Sequence, residues 1–273
     1  MSECVNNSGW REIITFPFGE RAAKPRRQGL TMVMDKGLGT GETKDLLRVH
    51  HRYLDFVKLG FGTPALYTQG ILEEKIHLAV SHNIDIYPGG TFFEIAVWQD
   101  KLVDYLDKCR TLGFTAIEIS DGTIQMCREV RVKAITMAAE KGFLVLTEVG
   151  KKNPGSGVPV ISMAEQARED LQSGAYKVIL EGRECGLNVG LYDEKGKVPR
   201  GDMQLLLEYI SEPGQIIWEA PLKPQQHDLI TRFGPDVNLG NIAPREVLAL
   251  EAMRLGLRAD TLQLKVDNSI AFD

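Results

Sequence analysis

Eight short runs of β-branched and other apolar residues recur along this chain, and each is separated from the next by a segment with helical spacing. The runs are "LTMVMD" (30–35), "LDFVKLG" (54–60), "IDIYPGG" (84–90), "FTAIEISDG" (114–122), "FLVLTEVG" (143–150), "YKVILEGRE" (176–184), "QIIWEAP" (215–221) and "DVNLGNI" (236–242). Parallel strands need a crossover of a dozen or more residues, usually a helix, so this alternation is the sequence mark of an α/β chain. Eight such units over about 240 residues predict a single-domain (β/α)8 (TIM) barrel, with a doubly wound open sheet as the alternative. No G-x-G-x-x-G follows the first run, which argues against the dinucleotide-binding version of that alternative.

The intervening segments carry the expected period. Ile95, Trp98, Leu102, Leu106 and Cys109 recur at three- and four-residue steps and read as one face of a helix. Val247, Leu250, Met253 (or Arg254) and Leu257 do the same, with Pro244 suited to the first turn. Gly113, Gly142 and Gly174 fall where helices should stop. Residues 1–28, with the polar "KPRRQG", read as an N-terminal arm, 29–261 as the barrel, and 262–273 as a C-terminal tail. The segment "GKVPRGD" (196–202) belongs to a long loop after the sixth strand, where barrels often carry function.

Composition removes several function classes. A net charge of −5 gives no general attraction to nucleic acid or anionic membrane. No apolar run approaches the roughly 20 residues needed to span a bilayer, and the N-terminus lacks the basic-then-apolar pattern of a secretion signal. Four scattered cysteines without CxxC spacing read as reduced thiols of a cytoplasmic protein. The five histidines form no zinc-binding pattern.

A barrel of this kind places its active site at the C-terminal ends of the strands. Those ends carry Asp35 and Lys36; Lys58; Gly90 and Thr91; Glu118, Ser120 and Asp121; Glu148, Lys151 and Lys152; Glu181, Arg183 and Glu184; Glu219; and Asn238 and Asn241. Any one of them could be a solvated lysine or a paired carboxylate. Together they form a ring of both signs, and a buried charge must be paired or metal-bound. Side chains on a strand alternate faces. If Glu148 faces the mouth, Lys152 shares its side and Lys151 points toward the helices, unless the register breaks at Gly150. The inward set is then Glu118, Glu148, Glu181, Lys152 and Arg183. Carboxylates suit a hard cation such as Mg²⁺, and lysine and arginine suit phosphate or carboxylate. Ion pairs between these lysines and glutamates are the competing explanation.

The segments "GLTMVMDKGL", "YLDFVKLGFGT", "YPGGTFFE", "GFTAIEISDG", "FLVLTEVGKK", "VILEGRE", "IIWEAP", "GPDVNLGNI" and "ALEAMRLGLRADT" resemble, in this order, the phosphosulfolactate synthase family of coenzyme M biosynthesis. The resemblance runs from Gly29 to Thr261 and touches all eight strands. It implies a (β/α)8 barrel that adds sulfite to phosphoenolpyruvate with Mg²⁺, giving (2R)-phospho-3-sulfolactate. Attack at C3 pushes charge into the substrate carboxylate, and C2 must then be protonated on one face. Lys152 is expected as the general acid, with Lys151 as the alternative and neighbouring cations lowering its pKa. Lys36, Lys58 and Arg183 would hold the anionic groups, beside Gly90, Thr91, Ser120, Asn238 and Asn241. Glu148 and Glu181 lead the metal ligands, followed by Glu118 and Glu219. A homo-oligomer, with a trimer as the specific expectation, would use the arm and tail. The same family holds plant heat-stress relatives. Another phosphorylated-enolate enzyme and a non-catalytic stress-related homologue are therefore the alternatives.

Overall fold

Seven of the eight strands are built on one local rule, in which an apolar residue facing inward is followed two positions later by the residue at the mouth. Met32, Phe56, Tyr87, Ala116, Leu146, Ile179 and Ile217 pack together inside the barrel. Two residues on stand Met34, Lys58, Gly89, Glu118, Glu148, Glu181 and Glu219. The period-two alternation of a strand thus turns an apolar layer into a polar one within a single step. The computed structural model describes residues 9–68, 70–152, 158–210 and 212–266.

The elements run α1 (Trp10–Ile13), β1 (Thr31–Asp35), α2 (Thr40–His50), β2 (Phe56–Leu59), α3 (Ile71–Ser81), β3 (Asp85–Pro88), α4 (Gly90–Trp98), α5 (Leu102–Leu112), β4 (Ala116–Ile119) and α6 (Arg128–Glu140). They continue with β5 (Leu144–Val149), α7 (Val160–Gln172), β6 (Lys177–Leu180), α8 (Arg200–Tyr209), β7 (Ile216–Glu219), α9 (Lys223–Phe233), β8 (Leu239–Ile242), α10 (Val247–Arg254) and α11 (Ala259–Leu262). The eight strands form one parallel sheet in the order β3-β2-β1-β8-β7-β6-β5-β4. The two ends of that order meet at Thr115. Its N–H donates to Ile86 O (3.2 Å), and its hydroxyl accepts from Ile86 N–H (3.1 Å), a side-chain substitute for a ladder bond. The barrel is therefore nearly closed, and the expected (β/α)8 architecture is the observed one. The larger apolar core lies between the strands and the helices.

Three local departures matter. The helix read through Ile95, Trp98, Leu102, Leu106 and Cys109 is two helices. After α4 the chain reverses at Asp100, which is left-handed (φ 55), and Lys101 N–H bonds back to Ala96 O at 2.8 Å. That is a Schellman-type stop, so Ile95 and Trp98 face outward (42% and 75% exposed) while Leu106 and Cys109 are buried. Leu257 likewise lies beyond the end of α10 and is exposed, whereas Val247, Leu250, Met253 and Arg254 are buried. The third departure is in β8. Thr31 pairs with Leu239 but Val33 with Ile242, so one extra residue is inserted there. Asn241 absorbs it in a left-handed conformation (φ 55).

The described part of the arm lies across the N-terminal end of the barrel. Arg26 Nε donates to both oxygens of Asp55 (3.0 and 3.2 Å), and Lys24 Nζ donates to Leu54 O (2.6 Å). Residues 1–8 of the arm and 267–273 of the tail lie outside the described residues. Gly113, Gly142 and Gly174 follow α5, α6 and α7 with positive φ, ending those helices as expected. No described helix is long and apolar enough to cross a membrane.

Candidate active site

The C-terminal mouth of the barrel opens into a cavity of about 310 Å³, small for a ligand site and matched to a compact metabolite. Its floor is Lys58, from β2. The ammonium lies 2.9 Å from Glu118 Oε2, 3.2 Å from Glu148 Oε2 and 3.0 Å from Glu219 Oε1. Burial works against its charge, but Glu118, Glu219 and Glu148 together outweigh that effect and hold the pKa well above the ordinary lysine value. All three of its protons face carboxylates, so Lys58 is a counter-ion within the site.

Lys152 rises beside it. Gly150 ends the β5 extension with φ 120, Lys151 turns out, and Lys152 turns in. Lys152 Nζ is 3.0 Å from Glu148 Oε1, 3.5 Å from Glu94 Oε1 and 3.1 Å from Thr91 Oγ1. Burial would lower its pKa, yet Glu148 and then Glu181 overcome this and hold it above the usual lysine range. The expected cause was a set of neighbouring cations acting downward; the neighbours are carboxylates, and the shift is upward. Lys151 Nζ instead donates to Asp121 O and Oδ2 and to Ile124 O, pinning the loop after β4.

The carboxylates divide by partner. Glu118 Oε1 accepts Gly90 N–H at 2.6 Å, at the start of α4, while Oε2 faces Lys58. Glu219 Oε2 accepts the N–H groups of Gly182 (2.8 Å) and Arg183 (2.9 Å). Glu181 Oε1 accepts Arg183 N–H at 2.7 Å, but its Oε2 is buried with no hydrogen-bond partner among the described residues, the Lys152 ammonium lying 3.9 Å away. Glu148, Glu181 and Glu219 each offer an oxygen within 4.8 Å of the others. Two ammonium groups cannot balance the five buried carboxylates Glu94, Glu118, Glu148, Glu181 and Glu219. The electrostatic result is visible at two of them. Burial, then the charge of Glu148, pushes Glu181 well above the carboxylate range, and burial pushes Glu118 up to about 7. Glu148 goes the other way, because Lys152 and Lys58 outweigh its burial. An orphaned oxygen, an all-oxygen donor set and an excess of negative charge fit a hard dication. Glu118 stands outside the trio, occupied by Lys58 and Gly90.

The remaining expected residues separate clearly. Arg183 (φ 52) and Asn241 line the cavity, and Asn241 Nδ2 donates to Arg183 O at 3.1 Å, leaving its Oδ1 buried without a partner among the described residues. Two left-handed non-glycine residues joined at a cavity rim are backbone strain stored at a site. Ser120 Oγ sits 2.7 Å from Glu94 and 2.8 Å from Glu148. Lys36 is exposed on the β1–α2 loop, over the Phe61 ring (5.7 Å), and lines an adjoining cavity rather than the carboxylate cluster. Asn238 is at the wrong end. It binds Leu30 N–H, Gly214 O and Ile216 O where β1 and β7 begin, because it precedes β8 rather than ending it. Glu94, on α4, is the site residue that strand-end reasoning missed.

Gly90 carries one steric prediction. A Cβ there would lie 2.5 Å from Ser120 Cβ and 2.6 Å from Glu118 Oε1. Gly90→Ala should therefore lose about 1–3 kcal/mol of stability in urea unfolding through overpacking. An unchanged midpoint at unchanged slope would show that α4 has room to withdraw.

The profile of the (2R)-phospho-3-sulfolactate synthase (ComA) family matches residues 19–260. The phosphosulfolactate synthase of Methanothermobacter thermautotrophicus is 44% identical over 244 residues, covering 89% of this chain and 94% of that protein. The phosphosulfolactate synthase of Bacillus subtilis is 37% identical over 246 residues, covering 89% and 96%. Among solved structures, a putative fructose-1,6-biphosphate aldolase from Coccidioides immitis superposes with a TM-score of 0.55 at 12% identity, covering 88% of this chain and 92% of that one, a likeness of fold alone. The family match takes in every strand and every side chain at the mouth, and on that span and those identities the chain belongs to the (2R)-phospho-3-sulfolactate synthase family of enzymes.

Proposed function

We propose that this chain adds sulfite across the double bond of phosphoenolpyruvate to give (2R)-phospho-3-sulfolactate, with Lys152 as the general acid. The observation that carries the reading is the pairing, at one mouth, of an inward lysine with a carboxylate trio around a compact cavity. The sulfur lone pair forms the new bond to C3. The π electrons move to C2 and its carboxylate, and a proton from Lys152 Nζ completes the C2–H bond. Mg²⁺, held by Glu148, Glu181 and Glu219, would supply Lewis-acid stabilisation for the charge that develops on the substrate carboxylate.

The chain's own groups do the rest. An ammonium above the usual lysine pKa is fully charged at neutral pH, so Lys152 arrives at the reaction carrying its proton. It gives that proton up to a carbanion, a far stronger base than water. Arg183, at the rim, can receive phosphate or sulfonate oxygens through its fork of donors. Lys58, saturated by three carboxylates, holds Glu148 and Glu219 of the trio in place and is not free to hold substrate. Water exclusion comes from depth: Lys58, Glu148 and Glu181 are all buried.

The direct test is incubation with phosphoenolpyruvate, sulfite and Mg²⁺, followed by ³¹P NMR. A sulfite-dependent loss of the phosphoenolpyruvate resonance and growth of a phosphosulfolactate resonance are expected, and a chelator in excess should stop both. Phosphoenolpyruvate left untouched in the presence of sulfite and Mg²⁺ would overturn the assignment, and full turnover in chelator would remove the metal from it.

A further inference from the structure

We propose that Glu94 is a positioning residue that aims the Lys152 ammonium and thereby fixes the face on which C2 is protonated; this rests on the reading of Lys152 as the acid. Glu94 lies in the first turns of α4 and is 1% exposed. It is the one charged residue of that helix, in an otherwise apolar "GTFFEIAVW". A carboxylate buried there is costly unless its oxygens are satisfied. Each oxygen is satisfied for a different purpose. Oε2 accepts the N–H groups of Thr123 (2.9 Å) and Ile124 (3.1 Å), which ties the loop after β4 to α4. Oε1 meets Ser120 Oγ at 2.7 Å and Lys152 Nζ at 3.5 Å.

Ser120 makes the arrangement directional. Its hydroxyl has one proton and stands between two acceptors, Glu94 Oε1 and Glu148 Oε1 (2.8 Å). It can donate to one of them only. The other acceptor must be served by the Lys152 ammonium, which lies within 3.5 Å of both carboxylates and of Ser120 Oγ. The ammonium therefore rests in a saddle of Glu94, Ser120 and Glu148, with Thr91 Oγ1 as a further contact at 3.1 Å. These contacts come from α4, the end of β4 and β5, so they fix Nζ from three elements.

Glu94 differs from Glu148 in one respect that decides its role. Glu148 belongs to the trio that can converge on a cation, and Glu94 does not. A carboxylate engaged by a metal is a weaker partner for an ammonium. Among the described residues, Lys152 is the one cation paired with Glu94. Without Glu94, Nζ would keep the neutral Thr91 and Ser120 hydroxyls and Glu148, which Lys58 also claims, and the proton would approach C2 from a wider range of directions. A misplacement of about 1 Å at a reacting group costs on the order of 10²-fold in rate.

Glu94→Gln separates aiming from loop anchoring, because the amide oxygen still accepts from Thr123 and Ile124 while the charge is gone. In this variant kcat should fall about 10²-fold with KM for phosphoenolpyruvate within about threefold, and the product should carry both configurations at C2. Glu94→Asp, which keeps the charge on a shorter arm, should recover part of the rate and of the stereochemical purity. A loss of packing alone would lower the amount of active enzyme but leave one configuration. Acetylation of Lys152 by acetic anhydride, read by fragmentation mass spectrometry with Lys151 as internal reference, supplies an arm that needs no turnover. Lys152 should react several-fold faster in Glu94→Gln than in the wild type. A Glu94→Gln enzyme with wild-type kcat and a single C2 configuration overturns the proposal, as does an unchanged acetylation ratio. A wild-type protein that leaves phosphoenolpyruvate untouched overturns the proposed function instead, and the acetylation ratio still decides whether Glu94 clamps Lys152.

Discussion

Lys152→Ala should abolish most sulfite-dependent turnover, by about 10²- to 10⁴-fold in kcat, while leaving the chain folded. The expectation follows from placement rather than from residue type, since two adjacent lysines stand at the end of β5. Lys152 faces the cavity, 3.0 Å from Glu148, and lies 3.1 Å from Thr91. Lys151 is turned to Asp121 and Ile124, outside that cavity. Lys151→Ala should thus lose a loop anchor and at most a modest part of the rate. The contrast is the measurement: steady-state kinetics of both variants, with circular dichroism to show that each is folded. If Lys151→Ala were inactive and Lys152→Ala nearly normal, the proton would come from the other lysine, and the turn at Gly150 would be different in the working enzyme. A Lys152→Ala enzyme with wild-type kcat would leave the mechanism without its acid.

What could be read from the sequence follows the geometry of strands. Glu118, Glu148, Glu181, Glu219 and Lys58 each sit two residues beyond an inward apolar residue, so alternation alone brings them to one mouth. The turn of Lys152 into the cavity and Lys151 away from it was legible too, although Gly150 bends the chain between them. Alternation fails where the backbone stops being regular. Asn238 and Asn241 look equivalent in "DVNLGNI", yet one opens β8 at the far end and the other is carried into the mouth by the inserted residue. Lys36 leaves β1 on a loop whose direction has no periodic signature. Glu94 is harder still, because a glutamate on a helix ordinarily faces water. The one clue was its isolation among apolar neighbours in "TFFEIAVW", which is odd for a solvated face. The division of Leu102 and Leu106 from Ile95 and Trp98 hangs on Asp100 adopting a left-handed turn, which aspartate does often enough to be permitted and too rarely to be assumed.

Lys58→Met should destabilise the protein by about 3–5 kcal/mol when measured in chelator, and it should inactivate the enzyme. Methionine fills nearly the same volume, so the loss is electrostatic rather than steric. Removing the ammonium leaves Glu118, Glu148 and Glu219 facing one another without their shared counter-ion. The pH dependence has a definite sign. Burial already pushes Glu118 up to about 7 against the opposing pull of Lys58, and without Lys58 it rises further. A carboxylate whose pKa is higher folded than unfolded stabilises the fold below its unfolded value, and that contribution is lost as pH rises through the folded one. The variant should therefore recover stability relative to wild type on going from pH 8 to pH 5. Urea unfolding at the two pH values measures this. Mg²⁺ should also restore part of the loss at neutral pH, because a dication at Glu148, Glu181 and Glu219 replaces some of the missing positive charge. A Lys58→Met protein as stable as wild type at pH 8 in chelator would mean that these carboxylates are already protonated or solvated. The case for a cation-demanding cluster at the barrel mouth would then fall with it.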